Sequence, residues 1–257
     1  MKEIRFEYTY FGRRKSFTAT VPEKLGEASS NQFIALLSLS EGAVTEEQFF
    51  KLFFGIGSDI LSRLDPWQLY VMTEQLRNLW EMIAADHFFI PELSIDSVRL
   101  VAPEDRLRGM TLKQFMTVDQ FWQWYAYSGN NTYLYAMVAA LYLPENTDFF
   151  SYDHGALAES IAKSEDLMLL QGITVNWALI RNWLSDAYPH LFPSAEQDYS
   201  NEAPSGRKKQ RPGSWLAILD ALVGDDLTRL ETYPHLLALD VIRILDRRIK
   251  EQKKPRI

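Results

Sequence analysis

Four histidines, His87, His154, His190 and His235, and no cysteine carry whatever metal or nucleophilic chemistry this chain could perform. No two histidines are close in sequence. None has the His-Glu-x-x-His spacing that places two imidazoles on one helical face around a zinc ion. Without cysteine there is no thiolate ligand, no disulfide and no thiol nucleophile, a composition that fits a reducing compartment. Asp86-His87 and Asp153-His154 are sequence neighbours, but adjacent residues on a helix point apart, so neither is expected to work as an acid–base pair. Glu104-Asp105 and Asp225-Asp226 could hold a cation or share a proton. Both fall at expected helix starts, where carboxylates favour the N-terminal dipole. Gly55-Ile56-Gly57-Ser58 has neither the leading strand nor the following Lys of a phosphate loop, and no G-x-S-x-G elbow occurs. The expectation is a protein with no catalytic residue, no cofactor and no metal.

Binding is what remains. Residues 121–135 hold Phe121, Trp122, Trp124, Tyr125, Tyr127, Tyr133 and Tyr135. Helical spacing puts Phe115, Val118, Trp122 and Tyr125 on one apolar stripe. Phe121 and Trp124 fall on a second face with Thr117 and Ser128. They are assigned as protein-binding residues, because exposed aromatics of this kind often dominate recognition; the alternative is a helix buried on two sides. Two basic segments, Arg207–Arg211 and 247–256, could meet a phosphate or an acidic partner. Their plainer reading is a solvated loop and a cationic helix end.

The elements that would position these residues follow from a module present twice. Phe17–Glu23 is an apolar run ending in Pro-Glu, followed by Ser29-Ser30-Asn31-Gln32-Phe33. Val98–Glu104 repeats the pattern, followed by Thr111-Leu112-Lys113-Gln114-Phe115. Each ends in a capping-box helix start, [Ser/Thr]-x-x-Gln, with Phe opening the apolar stripe. Thr45-Glu46-Glu47-Gln48-Phe49 is a third such start. Residues 3–21 alternate as a β-hairpin turning at Phe11–Arg14. A third short strand near 96–101 is expected to join it, by analogy between the modules. Helices are expected at 29–39, 45–55, 66–85, 111–127, 131–143, 154–166, 168–187, 214–223 and 234–252. A long exposed loop is expected at 190–213. The fold class is mainly α, a bundle-like array of helices with a small N-terminal hairpin. The division is 1–145, carrying both modules, and 150–257.

The 257 residues are 47% hydrophobic with 15 Phe, 12 Tyr and 7 Trp, enough for a packed core. The net charge of −7 argues against general nucleic-acid binding. Met1–Arg5 has charges where a signal peptide needs an apolar core, and no run of about 18 apolar residues occurs. No membrane association is expected, and the place expected is the cytoplasm.

Met110–Phe115, a Leu-Thr-type capping start after a strand and Pro, resembles small bacteriophage and prophage proteins encoded among tail genes. Ala136–Pro144 and Trp215–Ile249, with Ala221–Thr228, are similar to the same group. The resemblance covers about half the chain and rests on capping and core patterns. It implies a helical protein without an active site, a tail-assembly chaperone that keeps a tape-measure protein soluble in the cytoplasm of a bacterial host. The N-terminal hairpin and the length depart from the group. The alternative is a virion or complex structural component that forms homo-oligomers.

Overall fold

A computed structural model of the chain describes residues 1–74, 76, 79, 84–164, 166–192, 215, 218–219 and 231–252. Mainly helical as expected, the chain forms two compact units, Met1–Ala85 and Asp86–Ile257. The unit boundary lies at 85/86 and not near 145–150, so the two module copies belong to different units.

The first unit opens with an antiparallel hairpin, β1 (Lys2–Tyr10) and β2 (Arg13–Val21). Its register pairs Tyr10 with Arg13 and Phe6 with Phe17. The two turn residues, Phe11 and Gly12, both have positive φ (47° and 72°), the backbone of a two-residue hairpin loop. Helices α1 (Ser30–Ser40), α2 (Glu46–Phe54), α3 (Ser58–Leu61) and α4 (Pro66–Glu74) follow. The capping boxes of Ser29–Gln32 and Thr45–Gln48 are complete: each hydroxyl accepts the N3 amide and each Gln side chain accepts the N-cap amide. Asp65 and Gln68 make the same reciprocal pair at α4. Two of these glutamines do more. The Gln32 amide also donates to the Thr20 carbonyl of β2 at 2.9 Å, and that of Gln68 to the Glu7 carbonyl of β1 at 3.0 Å. The cap residues thus tie two helix starts to the hairpin. Phe6, Phe33, Phe49, Phe53 and Met72 form the core. Of the helix expected over 66–85, Pro66–Glu74 is described as α4; residues 75, 77–78 and 80–83 lie outside the described residues.

In the second unit the strand expected near 96–101 is present as β4 (Val98–Val101), but it does not join the hairpin. It pairs with β3 (Glu92–Ile95) and β5 (Leu143–Pro144) in a separate three-stranded antiparallel sheet. The tight turn Asp96-Ser97, both with positive φ, returns the chain directly onto β3. Helices α5 (Leu112–Ser128), α6 (Asn131–Leu141), α7 (His154–Ser164), α8 (Leu167–Ala187) and α9 (Ala238–Gln252) complete the described part. Gly129 ends α5 in the left-handed conformation that only glycine adopts without strain. Thr111 caps α5 as expected. Gln114, however, turns away from the cap to donate to the Ala140 and Leu141 carbonyls at the end of α6. The Thr111 start is therefore a half-box whose Gln holds two helices together.

The helix expected from 234 begins at Ala238. Tyr233–His235 form a single 3₁₀ turn around Pro234, and Leu237 bridges Thr111 in an antiparallel contact. Of the 190–213 loop and the 214–223 helix, only residues 190–192, 215 and 218–219 are described; Asp225-Asp226 and Arg207–Arg211 lie outside.

Candidate protein-binding surfaces

Each histidine whose ring contacts are known has a local packing role. His154 sets its Nδ1 2.9 Å from the Ala139 carbonyl and its Nε2 2.8 Å from the Phe149 carbonyl, bridging the end of α6 to the next loop. His235 stacks on Phe150 with ring centroids 3.8 Å apart. The backbone amides of His190 and Leu191 both donate to Asp246 of α9. Asp86-His87 is not on a helix, contrary to the premise on which the two side chains were expected to diverge. The His87 Nδ1 lies 3.4 Å from the Asp86 carboxylate, whose other oxygen accepts from Arg106 at 2.8 Å. That Arg106 hydrogen bond holds the Asp86 carboxyl below the usual carboxylate range. The His87 Nε2 is buried with no hydrogen-bond partner, and its ring meets Phe89 edge-on. Glu104 bridges Arg108, and Asp105 opens a 3₁₀ turn. Among the described residues no three His, Asp or Glu side chains gather to hold a metal ion.

The most concentrated polar arrangement is one that the sequence reading did not single out. Asp119 is wholly buried. Its Oδ1 accepts from the Trp177 indole at 3.2 Å and pairs with Arg181 at 3.2 Å. Its Oδ2 accepts from Gln123 and from the Trp215 indole, both at 2.7 Å. Arg181 in turn lies over the Trp122 ring, 4.7 Å from its centroid, a cation–π contact. Every acceptor direction faces a donor, so the carboxylate is a structural hub with no free lone pair for chemistry. The available signal was an acid one turn from both Phe115 and Trp122, on the apolar stripe itself.

Phe121 and Trp124 are half-buried. Both stack on Tyr133 of α6, with centroids 6.5 and 6.0 Å away, and Trp124 meets Tyr127 edge-on. They form an intramolecular aromatic ladder with one outer side. Replacing both with Ser is expected to cost about 1–3 kcal/mol. Each aromatic pair contributes about 0.5–1.5 kcal/mol beyond its buried area, and half-buried rings lose less than core rings. A melting temperature equal to the parent's would show that the ladder carries no packing energy.

The most exposed aromatics among the described residues lie elsewhere. On α4, Trp67 and Tyr70 are 69% and 52% exposed. They stack on one another, centroids 5.4 Å apart. At the hairpin tip Phe11 is 84% exposed. In the same unit a groove of about 270 Å³ is lined by Leu39, Phe49, Phe50 and Leu76, with Glu46, Thr73 and Glu74 also lining it. Among the described residues no helix is long and apolar enough to cross a membrane. In comparisons with protein-family models, curated proteins and solved structures, the chain finds no match.

Proposed function

We propose that this chain is a non-enzymatic protein-binding protein, a phage-type tail-assembly chaperone that keeps a tape-measure-like client soluble in the host cytoplasm. The observation that carries the reading is the stacked, exposed Trp67–Tyr70 pair on α4. Two large aromatics held face to face toward solvent contribute little to the fold. They are the residue types that concentrate binding energy when a partner covers them. An amphipathic helical client segment would lay its apolar face over such a pair. The outer side of the Phe121–Trp124–Tyr127 ladder is a second surface of the same character, in the other unit.

The test is co-expression with a tape-measure-type protein. The parent is expected to co-purify with it. Trp67→Ser together with Tyr70→Ser should weaken capture at least tenfold while leaving the melting temperature nearly unchanged, since neither ring is buried. Undiminished capture by that variant would remove the pair from the binding surface. The second reading, a virion or complex component that forms homo-oligomers, is favoured by a different observation, the complementarity of hairpin tip and groove.

A further inference from the structure

The hairpin tip breaks a local rule. Its first turn residue has φ of 47°, a backbone at which Asn, Asp and Gly are preferred and a bulky aromatic is strained. The residue there is Phe11, its ring held edge-on to Tyr10 at 4.5 Å and otherwise open to solvent. A residue that opposes its own turn and packs no core is the kind of local conflict that function retains. Behind Phe11 stands a cationic collar. Arg13, Arg14 and Lys15 follow within four residues. Lys15 lies over the Tyr10 ring at 4.5 Å, and Arg63 lies over it at 4.9 Å. Arg14 also reaches Glu7, at 3.4 Å. The tip is therefore one apolar ring projecting from a basic base, on a chain whose net charge is −7.

The groove in the same unit is its complement. Its lining is mostly apolar, with Leu39, Phe49, Phe50 and Leu76, and two acidic residues, Glu46 and Glu74, are among the residues that line it. Cavities of about 150 Å³ lined by such side chains bind benzene, so about 270 Å³ accepts a phenyl ring with room to spare. We propose that the tip of one copy docks into the groove of a second copy of this chain, Phe11 meeting the apolar lining and Arg13, Arg14 and Lys15 meeting the acidic residues. Tip and groove are different patches, so the contact is heterologous and propagates head to tail, closing into a ring or running on as a filament. The contact is small for a protein interface, which makes association weak for a single pair and strong only where many copies are arrayed.

Sedimentation of the purified full chain over a concentration series tests this. Phe11→Asn removes the ring and supplies the residue that the turn prefers, so the hairpin stays intact. Glu46→Lys reverses one exposed lining charge. The parent is expected to form dimers and then larger species as concentration rises. Each variant alone should associate at least tenfold more weakly. An equimolar mixture of the two should give dimers and nothing larger, because the groove of the Phe11→Asn chain receives the tip of the Glu46→Lys chain and no further contact remains. A parent monomeric at millimolar concentration would overturn the proposal. So would a Phe11→Asn chain that associates like the parent, or a mixture that forms no dimer. The test uses this chain alone and leaves Trp67 and Tyr70 in place. A negative result therefore leaves client capture standing, and failed client capture leaves self-association standing.

Discussion

Asp119→Ala is expected to lower the stability of the second unit by about 3–5 kcal/mol, the range for removing one partner of a buried ionic cluster. The cost is not the loss of one attraction. With the carboxylate gone, the Trp177 and Trp215 indole N–H groups lose a buried acceptor, and so do Gln123 and Arg181. Arg181 is about one-quarter exposed and can turn toward water, but the two indoles cannot. Asp119→Asn separates charge from hydrogen bonding. It keeps one oxygen acceptor but turns an NH₂ donor toward groups that also donate, so it should lie between the parent and the Ala variant. The urea midpoint followed by tryptophan fluorescence measures both. An Ala variant within about 1 kcal/mol of the parent, below the usual cost of one unsatisfied buried group, would mean that the hub is open to water.

Asn176→Leu should cost about 2–4 kcal/mol by a different route. Asn176 is almost wholly buried in α8. Its Oδ1 accepts from the Phe89 amide at 2.8 Å and its Nδ2 donates to the His87 carbonyl at 3.1 Å. Leu has the same branched outline and is bulkier, so no cavity opens. Two backbone groups of the 87–89 segment would instead lose their Asn176 hydrogen bonds, at about 1–3 kcal/mol each. The same segment is held on its other side by the Tyr142 hydroxyl, which donates to the Ile90 carbonyl at 2.6 Å. Burial pushes that phenol far above its ordinary titration range. Hydrogen exchange at the Phe89 amide is the direct readout. Protection there equal to the parent's would show that Asn176 does not hold the segment.

Elements whose signals are local were legible in the sequence. The hairpin was visible because Ile4, Phe6, Tyr8 and Tyr10 alternate. The starts of α1, α2, α4 and α5 were visible because a cap residue and its Gln are three apart. The β3–β4 turn was not, because Asp96-Ser97 lacks the glycine that marks such turns. Without it the module analogy sent β4 to the wrong partner. The two-residue strand Leu143–Pro144 has too little length to leave a pattern. The candidate surfaces were harder still. Around α4 apolar residues occupy nearly every side, Trp67, Leu69, Tyr70, Val71 and Met72 in succession, so periodicity alone does not say which the fold leaves uncovered. The Asp119 hub depends on Trp177 and Trp215, 58 and 96 residues away, and no window of sequence joins them.

The two glutamines that reach from helix caps to the hairpin carry one more consequence. A bare two-stranded ribbon is an invitation to strand addition, since each outer edge offers carbonyls and amides to any extended chain. Here the Thr20 carbonyl on β2 and the Glu7 carbonyl on β1 are already taken by Gln32 and Gln68. An incoming strand would meet an occupied rung on either side and would have to undo a helix start to proceed. The same side chains that begin α1 and α4 therefore act against amyloid-like growth from the hairpin.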